Sequence, residues 1–322
     1  MSTQAVQAPA TIAAPKASSA DIPWNKHVRQ KQTVSDWIVN IVIAVLMVAV
    51  ILAILYPLWF IIIASISDPK LVATGKVLLL PRGVQMGGYQ RIFEDARIWS
   101  GYRNTIIYSF VGTALNMAVT LPMAFGLSRR EFKPRRVILF LLTFTMFFSG
   151  GLIPSYLLYK QVGLLDSMWV FILPGALSVW NLIIARSFFE TSIPEDLHDA
   201  AQIDGLGYFG YFWKIVLPLS SAIIAVIALY YFVGHWNDYF TGLIYIRTTN
   251  KQPLQVVLQS ILLSNQSAQN TATFGDTAQQ ARQVADQIKY GVIIVSTLPL
   301  LILYPFLQKY FNKGVMIGAV KG

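Results

Sequence analysis

Apolar residues along this chain gather in six long blocks, separated by polar segments of unequal length. A helix that spans a bilayer needs about 20 mostly apolar residues. Blocks of that size run from Trp37 to Ile66, Thr105 to Leu127, Val137 to Leu158, Met168 to Phe188, Ser220 to Ile244 and Tyr290 to Phe311. Each predicts a transmembrane helix, the first long enough that it must tilt. Pro57, Pro122, Pro154, Pro174, Pro299 and Pro305 fall inside the blocks. A bilayer tolerates such prolines where packed neighbours satisfy the freed carbonyls, and the recurrent Gly and Ala suit close helix packing. The pattern predicts an all-α integral membrane protein with six transmembrane helices.

Residues 1–35 are rich in Ala, Ser, Thr, Gln and Pro and show no apolar period, the mark of a mobile tail. The first apolar block begins only at Trp37, so it is expected to be an uncleaved anchor rather than a signal peptide. Residues 36–322 then form the transmembrane domain.

Composition strengthens this picture. The chain has 322 residues, of which 55% are hydrophobic and only 12% charged, against about 25% charged in an ordinary soluble domain. So few charges cannot cover a water-exposed surface of this size, which excludes a typical soluble enzyme, a nucleic-acid-binding domain and a disordered protein. The absence of cysteine excludes disulfides and thiolate metal sites, and three scattered histidines do not suggest a metal centre.

The net charge of +10 reads as topology rather than as a nucleic-acid footprint. Between the second and third blocks, five of the nine residues from Ser128 to Arg136 are basic, which predicts a cytoplasmic loop. Six spans then place both termini inside. Residues 67–104 and 245–289 become external loops, the second carrying a polar run at Ser264–Asn270 and a helix-like stretch from Thr277 to Ile288. Over all loops the basic residues divide 14 inside to 11 outside. No internal repeat is visible, so the inverted-repeat signature of many secondary transporters is missing.

The most informative segment is cytoplasmic by this topology and runs from Glu190 to Pro218. Ser192-Ile193-Pro194-Glu195 fits a capping box at the start of a short helix, and Gly205 is placed to cap its end. Ile193, Leu197, Ala200 and Ala201 share one face at helical spacing, with Glu195 and Asp199 around the rest. Leu206-Gly207 supplies a bend before the aromatic stretch Tyr208–Trp213. An amphipathic connector would explain the helix but not what lies at fixed distances from it. Asp199-Ala200-Ala201, three residues, Gly205, nine residues and then Ile215-x-Leu217-Pro218 resembles the "EAA" signature of ABC importer permeases, with Asp in place of the leading Glu.

The resemblance extends over roughly residues 36–322. Asn104-Thr105, the run Ala124–Arg129, Trp236-Asn237-Asp238 and the ending Lys313-Gly314 to Lys321-Gly322 are similar to the MalG-type oligosaccharide permeases, and the last nine residues to their LplC-type branch. It implies a bacterial inner-membrane permease that pairs with a second, homologous permease. It also implies two ATP-binding-cassette ATPase subunits and an external solute-binding protein that delivers an oligosaccharide. ATP and Mg would then be held by the ATPases and no cofactor by this chain. Consistent with that, no G-x4-G-K-[ST] phosphate loop is present. Glu195, Asp199, Ala200, Ala201, Asp204, Gly205, Ile215, Leu217 and Pro218 become the ATPase-coupling residues. The short helix would sit in a groove of the ATPase, its acids facing a partly basic surface.

Ionisable residues within spans are functional candidates by default. Arg186 lies near the cytoplasmic end of the fourth span and is able to snorkel. Tyr231, His235 and Asp238 share a face of the fifth at i, i+4 and i+7, with Trp236 and Tyr239 beside them. Together these five are the candidate solute path, although hydrogen bonding to neighbouring helices or an aromatic belt would also explain them. Asn116, Thr120 and Asn181 read as helix–helix glue. Basic residues in the external loops leave acidic oligosaccharides open. An ABC permease for another solute and an ion-coupled secondary transporter are the rival functions; the second would leave the 199–218 spacing unexplained and finds no buried mid-membrane carboxylate.

Overall fold

The computed structural model describes residues 33–271, 285, 288–303 and 305, with side chains for 33–264, 285, 288–303 and 305. Most of the predicted tail, the stretch from Thr277 to Ile288 apart from Ala285 and Ile288, and the end of the sixth block lie outside the described residues. The chain divides into two compact units, residues 1–55 and 56–322. The described residues of the first belong almost entirely to one apolar helix, α1 (Val34–Ser65), whose last ten residues pass into the second.

Every regular element among the described residues is helical. In the second unit, two short helices, α2 (Pro69–Ala73) and α3 (Gly87–Glu94), lead into α4 (Ala96–Ser128), which is longer than the predicted second block. α4 is the central post. Its buried side chains are small or polar along much of its length (Gly101, Ser109, Gly112, Asn116, Thr120, Ala124), so neighbouring backbones come close.

The third, fourth and fifth blocks are not single rods. The third is α5 (Arg135–Phe147) and α6 (Leu152–Gln161), bent by 111° where Ser149-Gly150-Gly151 interrupts the helix. The fourth is α7 (Trp169–Ile172), an unwound stretch around Pro174-Gly175, and α8 (Val179–Ser192). Leu173 keeps helical angles and donates to the Trp169 carbonyl at 2.9 Å, but Pro174 has no N–H to continue the ladder, and Ser178 restarts the helix by accepting a bond from the Asn181 N–H at 3.4 Å. Three further helices precede the fifth block: α9 (Asp196–Ile203), α10 (Tyr208–Tyr211) and, beyond a π-helical turn at Phe212–Val216, α11 (Leu217–Leu219). The fifth block itself is α12 (Ser221–Trp236), then a break, then α13 (Phe240–Tyr245). The α10–α11 segment and α12 meet at 84°. Among the described residues, two helices, α1 and α4, are therefore long and apolar enough to cross a membrane unbroken, and the two bent pairs raise that to four.

The predicted external loop 245–289 contains a packed helix, α14 (Leu254–Thr271). Leu254, Val257, Leu258 and Ile261 form its buried stripe, and Gly101 of α4 meets it so closely that a Cβ there would lie 3.1 Å from the Leu254 Cα. The sixth block is described as α15 (Ile288–Leu303).

Candidate functional site

Two regions carry the candidate residues. The first is the segment from Ile193 to Pro218. Ser192 closes α8 instead of opening the next helix, so the predicted capping box does not form. Ile193 is extended (φ −110°, ψ 107°), as a residue before proline is pushed to be. Glu195 is already helical and offers no side-chain cap.

This break resets the helical phase of α9. Its buried face carries His198 and Ala201 above Ile193, whereas Leu197 and Ala200 point outward, contrary to the predicted stripe. His198 sits between the rings of Tyr208 and Tyr211, at 4.9 and 5.1 Å. Nothing in its local pattern signalled that role, since both rings come from beyond the turn.

α9 ends as predicted. Gly205 has φ +77°, its N–H donates to the Gln202 carbonyl at 3.0 Å, and the Leu206 N–H donates to the Ala201 carbonyl at 2.9 Å. That pair of bonds is the Schellman closure, which needs a left-handed residue at this position. At the far end, Pro218 cannot donate to the turn before it and would crowd its carbonyl; the chain widens there into the π turn that contains Ile215. Ile215 and Leu217 pack half-buried against the core while Pro218 is exposed.

The outer surface of the segment combines the exposed acids Glu195, Asp196, Asp199 and Asp204 with bare apolar groups, Ile203 at 88% and Phe209 at 78% exposure. An arginine network joins α4 to α8 and reaches the start of the segment. Arg186 donates through Nε to the Leu127 carbonyl at 3.0 Å and pairs with Glu190 at 2.7 Å. Arg129 donates to the Phe189 carbonyl at 3.4 Å, and Arg130 meets Glu195 at 3.1 Å. Arg186 thus holds the last turn of α4 to α8.

The second region is a cavity of about 460 Å³ beside the unwound 173–178 stretch. Tyr231, His235 and Asp238 line it, as their shared face predicts, and Ser178, Asn181 and Thr241 join them. Aromatic rings of Tyr159, Phe171, Tyr230, Phe240 and Tyr245 form much of the remaining wall.

Trp236 and Tyr239 do not line this cavity. Trp236 follows His235 by about 100° of helical rotation; it is 2% exposed, donates to the Ser296 carbonyl at 3.1 Å and stacks on Phe232. Tyr239 lies beyond the end of α12, in the turn where its N–H donates to the Asn237 carbonyl at 2.8 Å. Asn116 and Thr120 do join helices, but Asn181 faces the cavity.

Five polar contacts shape the wall. The Tyr231 hydroxyl accepts from the Ser178 N–H at 2.9 Å and shares a 2.7 Å bond with Thr120. His235 Nε2 lies 2.7 Å from Asn116 Oδ1, and Asn116 Nδ2 donates to the Gly175 carbonyl at 2.6 Å. Asp238 accepts from the Thr241 N–H at 3.1 Å, which opens α13.

Asp166, with φ +54°, donates through its N–H to the carbonyl of the cavity residue Tyr245 at 2.9 Å and clamps the segment after it. It accepts from the Thr248 hydroxyl at 2.6 Å, from the N–H groups of Thr248 and Arg247 at 2.9 and 3.1 Å, and from Lys251 at 3.2 Å. These bonds, the Thr248 hydroxyl first, hold its carboxyl far below the ordinary carboxylate range. Sequence spacing gave no hint of the clamp, whose halves are about 80 residues apart. Among the described residues no group of His, Asp or Glu is arranged to hold a metal.

Comparison with known proteins sets these regions in context. Residues 97–317 match the family described as binding-protein-dependent transport system inner membrane component. The chain is 42% identical over 266 residues to protein LplC of Bacillus subtilis (strain 168), covering 83% of this chain and 89% of that protein. It is 41% identical over 267 residues to the polygalacturonan/rhamnogalacturonan transport system permease protein YtcP of the same organism, covering 83% and 92%. A solved chain from a bacterial ABC transporter involved in the import of the acidic polysaccharide alginate superposes with a TM-score of 0.76 at 33% identity, covering 87% of this chain and 98% of that one.

Proposed function

Because this chain belongs to the family of inner-membrane components of binding-protein-dependent transport systems, we propose that it is one permease of an ATP-driven importer and that its solute is an oligosaccharide. The observation that carries the solute class is the cavity wall. Saccharides present hydroxyls around apolar C–H faces, and sites for such ligands combine a few placed polar groups with aromatic surface. Tyr231, His235, Asp238 and Asn181 supply the first and Phe171, Tyr230, Phe240 and Tyr245 the second. The names of the relatives point the same way: one carries a polygalacturonan permease's name and the solved chain comes from an alginate importer.

The partners are a second permease that completes the path, ATPase subunits that bind ATP and Mg, and a binding protein that delivers the solute; this chain carries out no chemistry itself. The 193–218 segment receives the ATPase. Its exposed Ile203 and Phe209 offer apolar anchors on the same surface segment as the exposed acids Glu195, Asp196, Asp199 and Asp204. α9 is closed at one end by Gly205 and tied at its start by Arg130 to Glu195, and Arg186 joins α8 to α4, so ATPase movement would pass to α4 and α8 as rigid-body motion.

The cytoplasmic end is the one that carries both the basic 129–136 loop and this segment, and both termini lie on that side. Supporting this, Arg130–Glu195 joins the two and Arg135–Glu190 joins the basic loop to α8, while the Asp166 clamp fastens on the 245–289 loop assigned to the outside. The test is to capture the complex through this chain and identify what comes with it. Co-purification of ATPases, a homologous permease and a binding protein loaded with an oligosaccharide is expected. A binding protein loaded with an amino acid or a metal would refute the solute class.

A further inference from the structure

Asn116 bridges the Gly175 carbonyl and the ring of His235. The amide makes two short contacts in opposite directions: one end lies 2.6 Å from the Gly175 carbonyl oxygen and the other 2.7 Å from His235 Nε2. A carbonyl oxygen only accepts, so the end facing Gly175 is the NH2 group. Rotating the amide would set two oxygens against each other at 2.6 Å. The end facing His235 is therefore Oδ1, an acceptor, and Nε2 must donate to it. In a neutral ring this leaves Nδ1 unprotonated, with no bond from the described residues, on a side chain that lines the cavity.

The arrangement depends on two further features. Gly175 lies in the unwound stretch, so its carbonyl is open to a side chain rather than taken by a helical N–H. Gly112 makes room for the ring: a Cβ there would lie 2.4 Å from Nε2.

We propose that Asn116 is a positioning residue that locks His235 as the Nε2–H tautomer, so that Nδ1 faces the cavity as an acceptor for a hydroxyl of the transported saccharide. Nδ1 and the Asp238 carboxylate then give one side of the wall two acceptors, suited to a ligand rich in hydroxyl donors. The saccharide in this statement rests on the function proposed above; the lock itself does not. Through Gly175 the same amide ties the ligand contact to the break between α7 and α8.

The test uses the assembled transporter in lipid nanodiscs with 15N-labelled histidine, the His235 signal being the one lost in His235→Gln. Nitrogen shifts report which ring atom is protonated. We expect a single Nε2–H form in the wild type and loss of that single state in Asn116→Leu and Gly112→Ala. A wild-type ring protonated at Nδ1 or at both nitrogens, or an Asn116→Leu ring unchanged from wild type, overturns the lock. If a variant does not assemble, the wild-type spectrum alone still decides. In uptake assays, misplacing one hydrogen bond should raise the KM for the saccharide about tenfold with turnover retained; an unchanged KM overturns the ligand role of Nδ1. A complex that imports no saccharide would overturn the functional reading, and the tautomer measurement would stand apart from it.

Discussion

Replacing Gly205 should separate folding from coupling. Its φ of +77° is left-handed, and an L-residue held there costs roughly 1–2 kcal/mol, more if β-branched. Nothing within 4 Å would meet a Cβ at this position, so steric conflict inside the chain adds nothing. Against a stability of order 5–15 kcal/mol, that strain loosens the last turn of α9 without unfolding the protein. The added side chain would instead project from the exposed face proposed to meet the ATPase. Gly205→Val should therefore reach the membrane near the wild-type level, lose ATPase subunits on purification and lose ATP-driven uptake. Gly205→Asn, which tolerates the left-handed region better, should retain more of both than Gly205→Ala or Gly205→Val. The assay measures membrane level, co-purified ATPase and uptake on the same preparations. Normal uptake by Gly205→Val would remove the face from the interface, and its disappearance from the membrane would show that the cap is needed for folding.

Asp199→Lys should weaken ATPase attachment while Asp199→Glu leaves it nearly unchanged, as read by co-purification. Arg186→Leu removes the donor to the Leu127 carbonyl and leaves Glu190 only its longer contact with Arg135, and this partly buried site should cost about 1–2 kcal/mol, seen as a lower yield of complex with uptake per complex retained. Because the chain has no cysteine, Thr249→Cys should react with an impermeant thiol reagent added outside and Lys133→Cys only after permeabilisation; the reverse would invert the orientation. The Asp166 carboxyl is depressed in the folded chain, so its stabilisation is full above the unfolded carboxylate pKa of about 4 and declines only as pH falls below that. The contribution of Asp166 to thermal stability should accordingly be constant between neutral pH and pH 5, so that wild type and Asp166→Asn differ by the same amount across that range.

The parts legible in the sequence are those set locally. Gly205 caps α9 because its neighbours need a left-handed residue there, and the apolar blocks report helices because burial in lipid is a property of each block. The face of α9 was misjudged because Pro194 makes Ile193 extended, so the helical period starts afresh at Asp196 and exposes Ala200. Whether Pro174 kinks or unwinds its helix depends on Asn116 and Tyr231, more than 50 residues away in the chain. α14 was hidden because its apolar stripe, Leu254 to Ile261, is too short to span a bilayer and becomes visible only when packed on Gly101. Trp236 looked like part of the path because sequence places it beside His235, but helical rotation turns it into a different core.

The central claim is best tested by uptake into proteoliposomes that contain this chain with its partner permease and ATPases. Labelled oligosaccharide is supplied with the binding protein on the outside, and ATP is enclosed. Accumulation that needs both ATP and the binding protein, and that is lost in Gly205→Val, is the predicted result. Accumulation that follows an imposed ion gradient without ATP would contradict it.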